Sequence, residues 1–128
     1  ARHVYLMGHS MGSRMSSAYL ADNPDASVRG LIVAGIRHDG GIPMNGRANL
    51  QHVDLPVLDI WGEEDGRDSM YAAERRDLVS PRYTQVSVTG ANHSFEPRED
   101  EFSARVVEWL RRMSPEQMAA SPDEVVRQ

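Results

Sequence analysis

Four short stretches concentrate apolar and β-branched residues. Arg2–Met7 (RHVYLM), Val28–Ala34 (VRGLIVA) and Leu55–Trp61 (LPVLDIW) are nearly continuous runs, and Thr84–Val88 (TQVSV) alternates. Such runs, bounded by turn residues, suit parallel strands covered on both faces. Helical patterns fall between them. Met11–Asp22 is rich in small and unbranched residues and meets a stop at Asn23-Pro24. Ser69 reads as the N-cap of a helix over Met70–Leu78. In Asp100–Met113, Phe102, Val106, Trp109, Leu110 and Met113 form one apolar stripe, as expected for a helix packed on a sheet. The order β-α-β-loop-β-α-β-α predicts an α/β fold: a parallel sheet of about four strands with flanking helices and right-handed crossovers. Gly35–Asp54 is expected to be a loop, with four glycines and two histidines. Loops of about 20 residues in compact domains are usually functional or mobile. The domain is expected over residues 1–113. Residues 114–128, with two Ser-Pro steps, are expected to be a loosely packed tail holding a short helix near Glu116–Ala120.

Composition narrows the classes. The chain has 128 residues, one domain's worth, with 40% hydrophobic and 26% charged residues, which argues against wholesale disorder. No apolar run approaches the roughly 18 residues of a membrane span. The net charge of −5 makes a nucleic-acid surface improbable. No signal peptide is visible, so the cytoplasm is the default expectation, although a first residue other than Met leaves room for an upstream piece. The absence of cysteine excludes disulfides and thiolate metal sites. All 14 basic residues are arginine, which excludes lysine chemistry. No cofactor motif is present. His38, Asp39 and His52 lie in or beside the long loop but match no metal-ligand spacing, so neither a metal nor a cofactor is expected.

Gly8-His9-Ser10-Met11-Gly12 fits G-x-S-x-G. With 10 glycines and, by direct count, 12 serines in 128 residues, the pattern arises by chance about 0.07 times in a chain of this composition. Context sharpens it, because the pentapeptide leaves a predicted strand and opens a predicted helix, as a nucleophile elbow must. A sharp turn there strains the serine and presents its hydroxyl above the sheet edge. The glycines on either side leave room for the crossing backbone. The helix N-terminus offers free N–H groups to a developing anion. A nucleophilic serine needs a base and an orienting acid. His93 follows the last predicted strand in Gly90-Ala91-Asn92-His93-Ser94-Phe95. Asp65 follows the third in Trp61-Gly62-Glu63-Glu64-Asp65. All three therefore lie at strand carboxyl ends, in the order Ser…Asp…His. Glu63, Glu64 and Asp68 are rivals for the acid. The G-x-x-D spacing favours Asp65, with Asp68 next. His9 is expected to turn away from the serine.

Together these segments resemble the C-terminal half of an α/β-hydrolase over roughly Arg2–Met113. GHSMG resembles the elbow, PVLDIWGEED the acid-bearing strand and turn, and GANHSF the histidine loop. The resemblance implies a carboxylic-ester hydrolase with Ser10 as nucleophile, Asp65 as acid and His93 as general base. It implies that the Met11 N–H contributes to the oxyanion hole. Met11, Ile42, Met44 and Phe95 flank this site and are candidate substrate contacts, with ordinary packing as the plain alternative. The strands that precede the elbow in the family are absent, as is the loop that supplies a second oxyanion donor. Losing one such donor typically costs about 10²–10³ in turnover. A non-catalytic or truncated half-domain is therefore the competing expectation. The strand Arg2–Met7 would also be an open apolar edge, which predicts that a second copy of the chain or an N-terminal partner covers it.

Overall fold

A computed structural model describes residues 4–113 and, as backbone, 124–127. Its five-stranded sheet comprises β1 (Val4–His9), β2 (Gly30–Ala34), β3 (Val57–Gly62), β4 (Tyr83–Val88) and β5 (Glu124–Arg127), in the order β4-β3-β2-β1-β5. Every neighbouring pair is parallel. The helices are α1 (Met11–Asp22), α2 (Gly46–Leu50), α3 (Gly66–Glu74) and α4 (Glu99–Met113), and a 3-10 turn follows α3 at Arg76–Leu78.

The apolar runs become strands because both faces of the sheet are covered. Every residue of β2 is buried. On one face Tyr5, Ile32, Leu58 and Ile60 pack beneath Val106, Trp109 and Leu110 of α4. Tyr5 meets Trp109 edge to face, with ring centroids 5.8 Å apart. On the other face Leu6, Leu31, Val33 and Val57 join Leu20 of α1 and Leu50 of α2. Helix α1 inverts the usual pattern. It buries Ser13, Ser16 and Ser17 and exposes much of Met11, Met15 and Tyr19. The buried serines bring the helix close to the sheet without orphaning hydroxyls. Ser17 Oγ donates to the Arg14 carbonyl at 2.9 Å and accepts from Asn49 Nδ2 at 3.2 Å.

Three expectations need correction. The open edge is occupied within the chain itself, since β5 pairs parallel with β1 from Val4 opposite Glu124 to Met7 opposite Arg127. The reason for expecting a second copy or separate partner on that edge is thereby removed. The predicted loosely packed tail accordingly contains a strand, while the short helix expected near Glu116–Ala120 lies outside the described residues. Helix α3 starts at Gly66, and its N-cap is Asp65, whose carboxylate accepts the Asp68 N–H at 2.8 Å. Ser69 sits inside the helix and donates to the Glu63 carbonyl. Within the long predicted loop, the Asn45 side chain caps the short helix α2 by accepting the Ala48 N–H.

A buried polar network ties α3 to the sheet. Arg75, just past α3, is fully buried and donates to both oxygens of fully buried Asp59 at 2.8 and 2.9 Å, and to the Ile36 carbonyl at 3.1 Å. Tyr83 Oη and Gln85 Nε2 also donate to Asp59. Burial opposes the charge on Arg75, but Asp59 outweighs it and the net pKa moves upward. Burial and the Asp59 charge push the Tyr83 phenol well above its ordinary value. Replacing Arg75 by Met leaves a buried carboxylate without its counter-ion, so stability by urea unfolding is expected to fall by about 3–5 kcal/mol. Tyr83 gives a pH signature. The folded state keeps its phenolic proton after the unfolded chain has lost it, so Tyr83's contribution is intact below about pH 10. Above that, stability is expected to fall by about 1.4 kcal/mol per pH unit until the folded pKa is reached. Unfolding Tyr83→Phe across the same range should show that component missing.

Candidate active site

The turn from β1 into α1 has the steric character the sequence predicts. Ser10 has φ 55° and ψ −117°, in the left-handed half of backbone space. Its N–H donates to the Ala34 carbonyl at 2.8 Å, which locks the turn to the end of β2. A Cβ on Gly8 would lie 2.4 Å from the Gly12 carbonyl oxygen. The N–H of Met11, the first residue of α1, finds no acceptor among the described residues.

His93 reaches this turn from the loop after β4. Asn92 builds the loop, its Oδ1 accepting the Ser94 and Glu96 N–H groups at 2.9 Å. The end of β3 lies directly beneath, because a Cβ on Gly62 would fall 2.0 Å from the Asn92 carbonyl oxygen. His93 Nε2 lies 2.9 Å from Ser10 Oγ. His93 Nδ1 contacts Asp68 Oδ2. An ionised carboxylate only accepts, so Nδ1 carries the ring proton and Nε2 is left to accept from the Ser10 hydroxyl.

The structure therefore joins Ser10 to His93 as expected, but Asp65 does not meet the ring. Its carboxylate caps α3, and Asp68, one turn further and fully buried, takes the position against Nδ1. Behind Asp68 stands Arg37, whose Nε donates to Asp68 Oδ1 at 2.6 Å while one terminal nitrogen lies 3.3 Å from both Asp65 oxygens. The Asp68 hydrogen bond chiefly raises the already high Arg37 pKa. Asp65, Asp68 and His93 each offer an atom to one small region in which a cation could be held, but the Arg37 guanidinium already supplies positive charge to both carboxylates. His38, Asp39 and His52 do not converge. His38 pairs with Glu74, Asp39 with Arg14 and Arg67, and His52 is exposed.

Three further residues shape the site. Gly35 has φ +63°, and a Cβ there would meet the His93 ring at 2.9 Å and Asp68 Oδ2 at 3.2 Å. His9 stays beside the site, its Nε2 2.9 Å from the His93 carbonyl oxygen and its ring centroid 5.1 Å from that of His93. Phe95 is buried against Phe102, with centroids 4.2 Å apart. A cavity of about 310 Å³ opens next to His9, lined by Met7, Ala34, Phe95, Phe102 and Glu99. Of the expected substrate contacts only Phe95 lines it. Met11 and Ile42 are exposed, Met44 is half-buried, and none of these three borders the cavity. A larger depression along the outer face of α4 touches none of the site residues.

The alpha/beta hydrolase domain family matches residues 1–118. The chain belongs to that family. Among solved structures it resembles a dienelactone hydrolase from Anabaena variabilis (24% identity, TM-score 0.66), with 84% of this chain aligned to 48% of that one. It also resembles a CIB-like hydrolase from Thermoplasma acidophilum (24% identity, TM-score 0.70), with 88% aligned to 52%. An esterase domain of a Rhodothermus marinus protein aligns at 21% identity and TM-score 0.67, over 84% of this chain and 59% of that one. The chain thus spans about half the length of the first two of these hydrolases. No curated protein matches it. Among the described residues, no helix is long and apolar enough to cross a membrane.

Substituting Ala at Gly35 combines a disfavoured φ with a collision at the ring. Gly35→Ala is expected to lower stability by about 1 kcal/mol or more. It is also expected to displace His93, visible as altered imidazole signals by NMR.

Proposed function

We propose that the chain carries the reactive centre of a serine hydrolase that cleaves carboxylic esters. The observation that carries this reading is the 2.9 Å approach of Ser10 Oγ to His93 Nε2, across 83 residues of sequence, at a serine held with positive φ. In the reaction His93 accepts the Ser10 proton as Oγ attacks the ester carbonyl. The proton passes to the leaving alcohol, and the acyl group stays on Ser10. Water, activated by the same imidazole, then releases the acid and restores the hydroxyl. Asp68 keeps the Nδ1 proton in place and stabilises the imidazolium that forms. The free Met11 N–H, at the positive end of α1, faces the developing oxyanion. His9 braces the histidine loop through the His93 carbonyl. The 310 Å³ cavity beside His9 suits a small acyl or alcohol group packed against Phe95.

A second reading rests on a separate observation. The chain spans about half of the dienelactone hydrolase it resembles, and Met11 is the single donor identified for the oxyanion. A half-domain needing further chain to complete the oxyanion hole would be folded but inert. A fluorophosphonate probe and short p-nitrophenyl esters separate the two. The hydrolase reading expects covalent labelling of Ser10 that is lost in Ser10→Ala, with ester turnover. Well-folded protein that is neither labelled nor active overturns it in favour of the half-domain.

The acid assignment makes its own forecast. Asp68→Asn is expected to lower kcat by about 10⁴, the scale for a triad acid replaced by its amide. Asp65→Asn, whose amide oxygen can still cap α3 while losing the charge that faces Arg37, is expected to retain most of the activity. Equal losses of kcat would sink the choice of Asp68.

A further inference from the structure

Arg37 is the cation at the centre, and the reaction above does not use it. It lies two residues beyond Gly35 on the segment leaving β2. Its own backbone is fixed, since its carbonyl accepts the Gly46 N–H at 3.1 Å and a Cβ on Gly46 would fall 2.6 Å from that oxygen. Its side chain is 20% exposed, whereas that of Asp68 is fully buried. The two Asp68 oxygens are divided, Oδ1 to Arg37 and Oδ2 to His93. Asp65 receives the far side of the same guanidinium.

We propose, building on the serine-hydrolase reading, that Arg37 is a positioning residue for His93: it aims the Asp68 carboxylate at Nδ1 and ties Asp65 to the far side of the same guanidinium. The physical case has two parts. A buried carboxylate is costly unless paired, and a neutral histidine N–H alone does not compensate it. The arginine fork spans two carboxylates in fixed geometry, which a lysine point charge cannot do. The second part concerns the ring. A cation behind Asp68 opposes a second positive charge on His93, so removing it favours the imidazolium.

The groups around His93 make the direction of the effect definite. Asp65 and Asp68 face it from α3 and the turn before it, Arg37 from the segment after β2, and the His9 ring from the end of β1. Exposed Glu63 and Glu64 belong to the turn that packs on the histidine loop, through the Glu64 N–H to the Ala91 carbonyl. Arg37 is thus the cation in a largely acidic setting, and its loss raises the pH at which His93 titrates.

The test is an NMR titration of the His93 imidazole in the full chain for wild type, Arg37→Gln and Arg37→Lys, with circular dichroism to check folding. The pH dependence of kcat/KM on a p-nitrophenyl ester is measured alongside. Arg37→Gln is expected to raise the His93 titration by about one unit. The acid limb of kcat/KM should move with it, lowering the rate about tenfold below that limb. Arg37→Lys, which keeps the charge but loses the fork, is expected to show a smaller rise. A His93 titration in folded Arg37→Gln that superimposes on wild type overturns the proposal, even if activity falls. If Arg37→Gln does not fold, Arg37→Lys decides, and an unmoved titration with unchanged imidazole signals overturns it. Failure of the hydrolase reading looks different, because wild type then takes no fluorophosphonate label, whatever the titrations show.

Discussion

Backbone segments cross at the carboxyl edge of the sheet at distances that admit a hydrogen atom and nothing larger. At Gly8 the start of α1 passes so close that a Cβ would sit 2.4 Å from the Gly12 carbonyl oxygen, and at Gly62 the histidine loop passes closer still. These approaches bring the ends of β1, β3 and β4 to one rim. Ser10 gains its positive φ from the first crossing, and His93 gains its height above the sheet from the second. A larger side chain at either point would separate the hydroxyl from the imidazole by more than a hydrogen bond can span. The chemistry proposed for the chain therefore depends on missing side chains as much as on those present.

The strands and the serine turn were legible because their signals are local and agree with one another. Continuous apolar runs mark strands buried on both faces, and the G-x-S-x-G spacing coincides with the change from strand to helix. Helix α1 was read from its composition with the correct ends, Met11 to Asp22. Its packing was not legible, because small serines rather than large apolar side chains face the sheet. The strand over Glu124–Arg127 was also missed. It follows two Ser-Pro steps and is only four residues long, and its partner β1 lies more than a hundred residues away. Pairing at that separation leaves no periodic trace in a short polar segment.

Spacing narrowed the candidate acid to two aspartates and favoured Asp65, whereas the carboxylate that lies against His93 Nδ1 is that of Asp68, for a definite reason. Spacing after a strand reports where a turn begins, not which carboxylate the following helix needs for itself. Asp65 opens α3 and its side chain serves as the cap. Asp68 falls one turn on, on the side that faces the loop after β2 and the histidine loop. The information that separates them lies in Arg37 and Gly35, about thirty residues upstream. Gly35 leaves space for the ring, and Arg37 supplies the charge that makes a fully buried Asp68 tolerable. Neither residue belongs to a recognisable motif.

The exclusive use of arginine has a structural consequence here. Helix α3 is held at both ends by buried aspartate–arginine contacts: Asp68 with Arg37 at its start, and Asp59 with Arg75 just past its end. Both arginines also connect to the segment leaving β2, Arg37 by belonging to it and Arg75 through the Ile36 carbonyl. Each guanidinium uses separate nitrogens for separate acceptors in fixed directions. A lysine ammonium, a compact and strongly hydrated point charge, could satisfy one carboxylate but would not fix the angle between two elements. The orientation of α3 relative to β2 sets where Asp68 points, and Asp68 in turn sets the tautomer of His93. Forked hydrogen bonds at the ends of one nine-residue helix thus transmit sheet geometry to the imidazole that faces Ser10.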